Sequence, residues 1–406
     1  MGTHRLYYDD SYLQNFEARL LSCSPAQPAQ GPSGTQPAWE VLLDQTAFYP
    51  SSGGQPNDLG LLDEAAILDV REEGDDIVHI IDRELATGPV KGCVNWPRRF
   101  DHMQQHTGQH LLSAMFQERF ALPTVSFHLG ADLCTIDLRG QEPSWSLLLG
   151  AQRAANRAIF EDRPVNVRYG TAEQLAQQGV RKQVDREGLL RAIEIESADL
   201  QPCGGTHVKS TGQIGLILIG GLSKVRQDWR VEFACGGRAE RLATDDLARQ
   251  RALAGSLGCA VQDLPGAIEK LAAERDAHFK NLRATLQQLA ESRAAQLVGE
   301  ASPGASGIRL VARILDGVHP ELLLPLATEI AKHQHAVALL IVQGSGQLVF
   351  AQHAATGKKD MAAILKAVLA AHPGKGGGSK DFVRAKLADA AASPAVLDLA
   401  KSLASA

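Results

Sequence analysis

Three histidines, His102, His106 and His110, recur every fourth residue, and the segment Cys203-Gly204-Gly205-Thr206-His207 follows much later in the chain. On a helix, positions four apart lie one above the other, so two such imidazoles can reach a single ion. The outer two lie ~12 Å apart along an axis that rises 1.5 Å per residue, so at most two of the three share a metal. The second segment sets a thiol and an imidazole on either side of two glycines. Their backbone freedom lets a short loop turn both groups toward one point. Thiolate and imidazole donors favour zinc over the hard cations, which prefer oxygen. The reading is one Zn2+ per chain; an exposed histidine-rich helix face with an unrelated buried thiol is the alternative. Four protein ligands describe a closed, structural site, whereas catalysis keeps a position for water or substrate. Spacing does not choose between these uses.

The nine residues His106-Thr107-Gly108-Gln109-His110-Leu111-Leu112-Ser113-Ala114, followed by Cys203 to His207, resemble the editing domain of alanyl-tRNA synthetase and its free-standing relatives, the alanyl-tRNA editing proteins. Related signatures occur in the threonyl-tRNA synthetase editing domain. Agreement with the alanyl branch extends to Asp44 through Pro50, Gly53 through Gly60 and Arg230 through Phe233. The stretch Gly374-Lys375-Gly376-Gly377-Gly378-Ser379-Lys380 resembles the glycine-rich segment of that synthetase's C-terminal domain. There is no room for an amino-acid activation module, so the resemblance is to the long free-standing form. It implies His106, His110, Cys203 and His207 as the zinc ligands and leaves His102 outside, as a solvated or supporting histidine. It also implies hydrolysis of seryl-tRNA(Ala), often of glycyl-tRNA(Ala), with alanyl-tRNA(Ala) spared. The C-terminal domain is implied to contact tRNA and to help form a homodimer.

On that reading the reaction is ester hydrolysis at the tRNA 3′ end, and zinc would acidify a water, polarise the ester carbonyl or position the substrate. Serine carries a hydroxyl that alanine lacks, and a site built to hydrogen-bond it rejects the analogue without it. Candidates for reading the hydroxyl are Thr124, Ser126 and His128, on the strand-like run Thr124 to His128, and Gln109 beside His110. Such a site does not explain removal of glycine, which would be weaker or governed by size. The resemblance places Gln55 next to the pocket. For tRNA the candidates are Arg98, Arg99, Lys224 and Arg226 near the acceptor end, with Lys375 and Lys380 meeting phosphates through side chains and backbone amides. The glycine-rich segment lacks the order of a P-loop. Two other readings are editing of a different aminoacyl-tRNA and a non-catalytic, zinc-stabilised tRNA-binding protein.

Elements that position these residues follow from periodicity. Short apolar runs and turns over residues 1–95 predict a small β-barrel, with a Pro/Gly/Ser/Gln-rich surface loop from Ser22 to Gln36. Helical spacing from Asp101 to Phe120, Ser144 to Ile159 and Ala172 to Gly179, between strand-like runs, predicts an α+β domain over residues 96–238 that holds the zinc. Ala239 to Leu257 and Pro265 to Leu297 predict a helical hairpin over residues 239–300, with an apolar seam through Ile268, Ala272, Phe279, Leu282, Leu286 and Leu289 that Arg275 breaks. Residues 301–406 predict a C-terminal α/β domain, with strands at Val337 to Val342 and Leu348 to Phe350 and helices at Met361 to Ala371 and Val383 to Ala392. The fold class is thus multidomain α+β.

Composition sets the limits. With 406 residues, 44% of them hydrophobic and 21% charged, the chain reads as several globular domains. The longest unbroken apolar run, Ala336 to Val342, is too short for a membrane span. The start lacks the apolar stretch of a secretory signal, and six scattered cysteines form no CxxC, which together predict a cytoplasmic protein. The net charge of −5 does not advertise a nucleic-acid binder, but from Ala301 onward 11 Lys and Arg stand against 7 Asp and Glu. A mildly basic tail on an acidic body leaves room for a phosphate-contacting surface.

Overall fold

The computed structural model describes residues 2–31, 34–181, 188–304, 307–356 and 359–405. The chain forms two compact units, Met1–Ala252 and Leu253–Ala406. In the first, strands β1 (Asn15–Gly31), β2 (Gly34–Leu43), β3 (Gly60–Leu62), β4 (Ala65–Glu73), β5 (Asp76–Ile81) and β6 (Gly88–Val94) close into a barrel of order β1-β2-β5-β4-β3-β6. Alternation drives it: along β6, Val90, Gly92 and Val94 face inward while Lys91 and Cys93 face water. The expected loop from Ser22 to Gln36 is instead the far half of the β1–β2 hairpin, with Cys23 opposite Val41 and Pro25 opposite Trp39; residues 32 and 33 lie outside the described residues. Pro25 and Pro28 are compatible with strand because β1 pairs with β6 only as far as Leu20, and Pro28 falls in a bulge.

His79 on β5 is fully buried, with Nε2 2.9 Å from the Thr46 hydroxyl. Burial lowers its pKa to about 4. The unfolded chain takes up a proton near pH 6.5 that the folded chain refuses until about pH 4, so this group's contribution is full above pH 6.5 and is lost as pH falls to 4. The loss amounts to about 3 kcal/mol. His79→Gln should therefore flatten the difference between urea midpoints measured at pH 7 and pH 4.5; an unchanged difference would refute the assignment.

Helix α1 (Trp96–Phe120) follows the barrel, capped by Asn95, whose side chain accepts from the Arg98 amide at 3.2 Å, with Pro97 in the first turn. Its middle is buried nearly all round, from Met103 to Phe116. It packs with α2 (Trp145–Phe160) and with β7 (Thr124–Leu129) of an antiparallel sheet β12-β13-β8-β7, whose other strands are β8 (Cys134–Arg139), β12 (Ile217–Val225) and β13 (Asp228–Cys235). Leu112, Phe116, Ile136, Leu148, Val231 and Phe233 belong to the shared core. A second antiparallel sheet, β9-β10-β11, comprises Val165–Gly170, Leu190–Ile195 and Asp199–Pro202, with the short helix α3 (Ala172–Gln177) between β9 and β10. Helix α4 (Gly236–Leu257) follows β13 and runs across the division between the units.

The second unit opens with α5 (Leu264–Glu300), a single 37-residue helix. Its expected seam is only half realised. Leu286, Ala290, Ala294 and Val298 are buried, whereas Ile268, Phe279 and Leu289 are exposed. The buried residues of the C-terminal half pack against α6 (Leu323–Lys332) and a five-stranded sheet. The five-stranded sheet has order β14-β15-β16-β18-β17, from Arg309–Leu315, Ala336–Val342, Gln347–Gln352, Phe382–Leu387 and Gly374–Gly378. β14 and β15 are parallel and joined through α6; the other pairs are antiparallel. Helices α7 (Met361–Ala371) and α8 (Ser393–Ser405) cover the opposite face from α5 and α6. The expected helix from Val383 to Ala392 is overturned. Val383, Ala385 and Leu387 alternate inward with Arg384 and Lys386 outward, which is the period of a strand, and only a 3-10 turn follows. The glycine-rich segment is an edge strand, and a Cβ on Gly376 would lie 2.2 Å from that of Ala385. Among the described residues no helix is long and apolar enough to cross a membrane.

Candidate metal centre

Helix α1 presents His106 and His110 one turn apart, and the loop leaving β11 brings Cys203 and His207 against them. Two interactions hold the loop in its turn. The Cys203 amide donates to the Arg191 carbonyl at 3.1 Å, and Arg191 Nη1 donates back to the carbonyls of Cys203 and Gly205 at 2.8 and 3.0 Å. The fit against α1 is so close that a Cβ on Gly205 would lie 2.2 Å from His106 Cε1. The four donor atoms lie within 4.8 Å of one another, so this group could hold a metal ion.

Donor geometry supports that. Cys203 Sγ lies 3.5 Å from His106 Nε2 and 3.3 Å from His207 Nε2. Tetrahedral zinc with ordinary Zn–S and Zn–N bonds would separate sulfur from nitrogen by ~3.6 Å. Each imidazole is also turned by a partner on its other nitrogen. His106 Nδ1 donates to Gln55 Oε1 at 2.8 Å, His110 Nδ1 to Asp199 Oδ2 at 3.1 Å, and His207 Nδ1 meets the Thr107 hydroxyl at 3.1 Å. Gln55 is fixed in turn, since its Nε2 donates to Thr206 Oγ1 and its Oε1 accepts from the Thr206 amide. Arg181 Nε holds Asp199 Oδ1 at 2.7 Å. Acceptors on Nδ1 of His106 and His110 take up the proton there and turn Nε2 of each ring toward the ion position.

The electrostatics favour the anionic form of the thiol. Burial would raise Cys203, but the imidazoles of His106 and His207 outweigh it and hold the group well below the ordinary thiol range. Burial would likewise lower His110, yet Asp199 and Cys203 bring it up to about 9. For His207 burial prevails and lowers it to about 3. Because Asp199 both orients and polarises His110, Asp199→Asn should weaken metal retention about 10- to 100-fold in competition against a chelator. Unaltered retention would show that the carboxylate contributes nothing.

A cavity of about 320 Å³ opens beside the donors, with Gln109, Thr124 and Ser126 on its wall and Arg181 at its side. Gln109 Nε2 and the Thr124 hydroxyl both donate to Ser113 Oγ, at 2.9 and 2.8 Å. His128, two residues beyond Ser126, is exposed and does not line this cavity. Gln55 sits behind His106, buried, and orients the ligand. His102 is neither solvated nor bonded to a ligand: it is buried and outside the donor group.

The basic candidates divide. Arg99 is a correction, because it is entirely buried, in an ion pair with Asp58, and meets no solvent. Arg98 is half-buried and gives its Nε to the Asn57 carbonyl at 3.1 Å. Lys224 is exposed beside the Trp229 ring, and Arg226 occupies the left-handed region (φ 57°) in the turn between β12 and β13. Lys375 and Lys380 are exposed in the second unit, where Lys375 lines a cavity of about 1310 Å³. Sequence reasoning missed Thr107, Asp199, Arg181 and Thr206. Two of them were within view, since each threonine adjoins a ligand and serves a different one: Thr107 follows His106 but meets His207, and Thr206 precedes His207 but fixes Gln55 on His106.

Comparison with known proteins places this geometry in context. The family described as the threonyl and alanyl tRNA synthetase second additional domain matches residues 190–232, which include the Cys203 to His207 loop. The alanyl-tRNA editing protein AlaX-L of Pyrococcus horikoshii is 34% identical over 248 residues, 58% of this chain and 58% of its own length. An alanine–tRNA ligase of Pyrobaculum neutrophilum is 31% identical over 94% of this chain but only 42% of its own. The alanyl-tRNA editing protein Aarsd1 of Mus musculus is 30% identical over 350 residues, 84% of each chain. On that extent of agreement, the chain belongs to the alanyl-tRNA editing protein family.

Proposed function

We propose that this protein is a trans-editing hydrolase that cleaves the aminoacyl ester of seryl-tRNA(Ala), and of glycyl-tRNA(Ala) more weakly, while sparing alanyl-tRNA(Ala). One observation carries the reading: four zinc-type donors converge, and three of them, His106, His110 and Cys203, line a cavity that also presents the polar groups of Gln109, Thr124 and Ser126. Zinc held there would supply a Lewis acid at the ester. The chain's own residues bind and sort. The Thr124 hydroxyl spends its proton on Ser113 and keeps oxygen lone pairs for a serine hydroxyl, an interaction that alanine cannot make. Arg98, Lys224 and Arg226 are then available to the acceptor end of tRNA(Ala), and Lys375 and Lys380 give the second unit a part in tRNA binding or in homodimer formation. A cytoplasmic location belongs to the same proposal.

A second reading has its own support. Four protein ligands fill a tetrahedral shell, as in a structural site, and a tRNA-binding protein stabilised by zinc would look the same. Incubation with seryl-, glycyl- and alanyl-tRNA(Ala), with and without chelator, separates the two. Hydrolysis of the seryl ester that stops on chelation, with the fold retained, supports editing. Unfolding on chelation with no hydrolysis beforehand supports the structural reading, and cleavage of other aminoacyl-tRNAs alone would move the substrate elsewhere. Thr124→Val should narrow the serine-over-alanine preference about tenfold, the worth of one neutral hydrogen bond.

A further inference from the structure

Between the first turns of α1 and α4 lies a cavity of about 560 Å³, lined by Arg98, Asp101, His102, Gly237, Arg238 and Arg241 among others. All of these residues belong to the first unit, and none lines the cavity beside the metal donors. Three guanidinium groups gather there against one carboxylate. Arg238 takes up that carboxylate, its Nε and Nη2 lying 2.9 and 2.6 Å from the Asp101 oxygens. Among the described residues no carboxylate comes within ion-pair distance of Arg98 or Arg241. His102 is only 3% exposed, and its Nδ1 has no hydrogen-bond partner among the described residues. The 22-residue α4 begins at the same place, and a helix's first turn presents N–H groups without intrahelical partners at the positive end of its dipole. Gln105 fixes the two helices relative to one another, donating to the Cys235 carbonyl at 2.9 Å and accepting from its amide at 2.8 Å.

Excess guanidinium charge, an unpartnered buried imidazole and a helix N-terminus describe a receptor for a compact anion with several acceptor oxygens. We propose that this cavity binds a phosphate group, held by Arg98, His102, Arg241 and the first turn of α4. Under the proposed function, on which only this last step rests, the phosphate belongs to the tRNA backbone.

The test uses the full-length, metal-loaded protein and two exchanges, Arg241→Glu on the exposed side and His102→Leu in the wall. Inorganic phosphate is titrated calorimetrically, and tRNA(Ala) affinity is measured across a salt series. Each exchange should weaken the binding that this site supports at least tenfold; for tRNA, Arg241→Glu should also lower the slope of log affinity against log salt by about one. Loss of phosphate binding alone assigns a small phosphorylated ligand. Loss of tRNA affinity, with or without loss of phosphate binding, assigns the tRNA backbone. Wild-type affinity for both in Arg241→Glu overturns the proposal. That residue is exposed, so its exchange decides the matter even if His102→Leu does not fold, with metal content and melting temperature as controls. Failure to deacylate any tRNA would defeat the editing reading and leave the phosphate titration to judge this one.

Discussion

Cys203→Ala should release the metal and lower hydrolysis of seryl-tRNA(Ala) by roughly 10²–10³-fold, the several kcal/mol that a Lewis acid contributes to such a reaction. The expectation rests on where the sulfur sits. It lies within 3.5 Å of two imidazole nitrogens, and those same groups hold it well below the ordinary thiol range. It is therefore the one donor of the four that brings negative charge to a dication, and alanine would leave three imidazoles around a gap. His106→Ala should act alike, and would leave Gln55 Oε1 with the Thr206 amide as its remaining donor. His102→Ala, one turn earlier on the same helix, should keep its metal. Metal content by atomic absorption and single-turnover deacylation are the two readouts. Full activity in metal-free protein would refute the role of the ion in hydrolysis, whereas loss of fold along with the metal would favour a structural site.

What the sequence made legible was local. Four-residue spacing put His106 and His110 on one helix face, and two glycines announced a tight loop at Cys203. The Asn95 cap and Pro97 mark where that helix begins, five residues before the start that periodicity suggested. What escaped was non-local or depended on a competing period. Asp199, at the start of β11, precedes the loop it serves and reads as any surface acid until the fold sets it 3.1 Å from His110. The run from Val383 to Ala392 ends in alanines, which suggested helix; yet its first half alternates, and pairing with β16 and β17 settles it as strand. The Pro-rich stretch after Ser22 misled for the opposite reason. Proline weighs against a strand only where a ladder needs its N–H, and the outer hairpin has a free edge.

Arg99→Met should destabilise the first unit by about 3–5 kcal/mol, because it breaks a buried ion pair and leaves a carboxylate stranded. Charge reasoning placed Arg99 with its neighbour Arg98 as a tRNA contact, but Arg98 is half-buried and meets the Asn57 carbonyl, whereas Arg99 is fully buried on the Asp58 carboxylate. Arg99 Nε lies 3.0 and 2.9 Å from the Asp58 oxygens, Nη1 donates to the Ser11 carbonyl at 3.0 Å, and Nη2 reaches the Ala47 carbonyl and Asp58. One guanidinium thereby ties α1 to three separate segments on the barrel side. Asp58 in turn accepts from the Tyr49 amide at 2.6 Å, so the carboxylate also shapes the segment leading to Gln55. Loss of the arginine should reach the metal site by that route, through Gln55 and His106. A second exchange, Asp58→Asn, should recover part of the loss, since it removes the unpaired charge and keeps an acceptor for Tyr49. Urea unfolding of the single and double variants measures both effects, with metal retention as the distal readout. An Arg99→Met protein with wild-type stability and weakened tRNA affinity would return this residue to the tRNA-binding surface; destabilisation partly rescued by Asp58→Asn would fix it as the clamp between the barrel and the helix that carries His106 and His110.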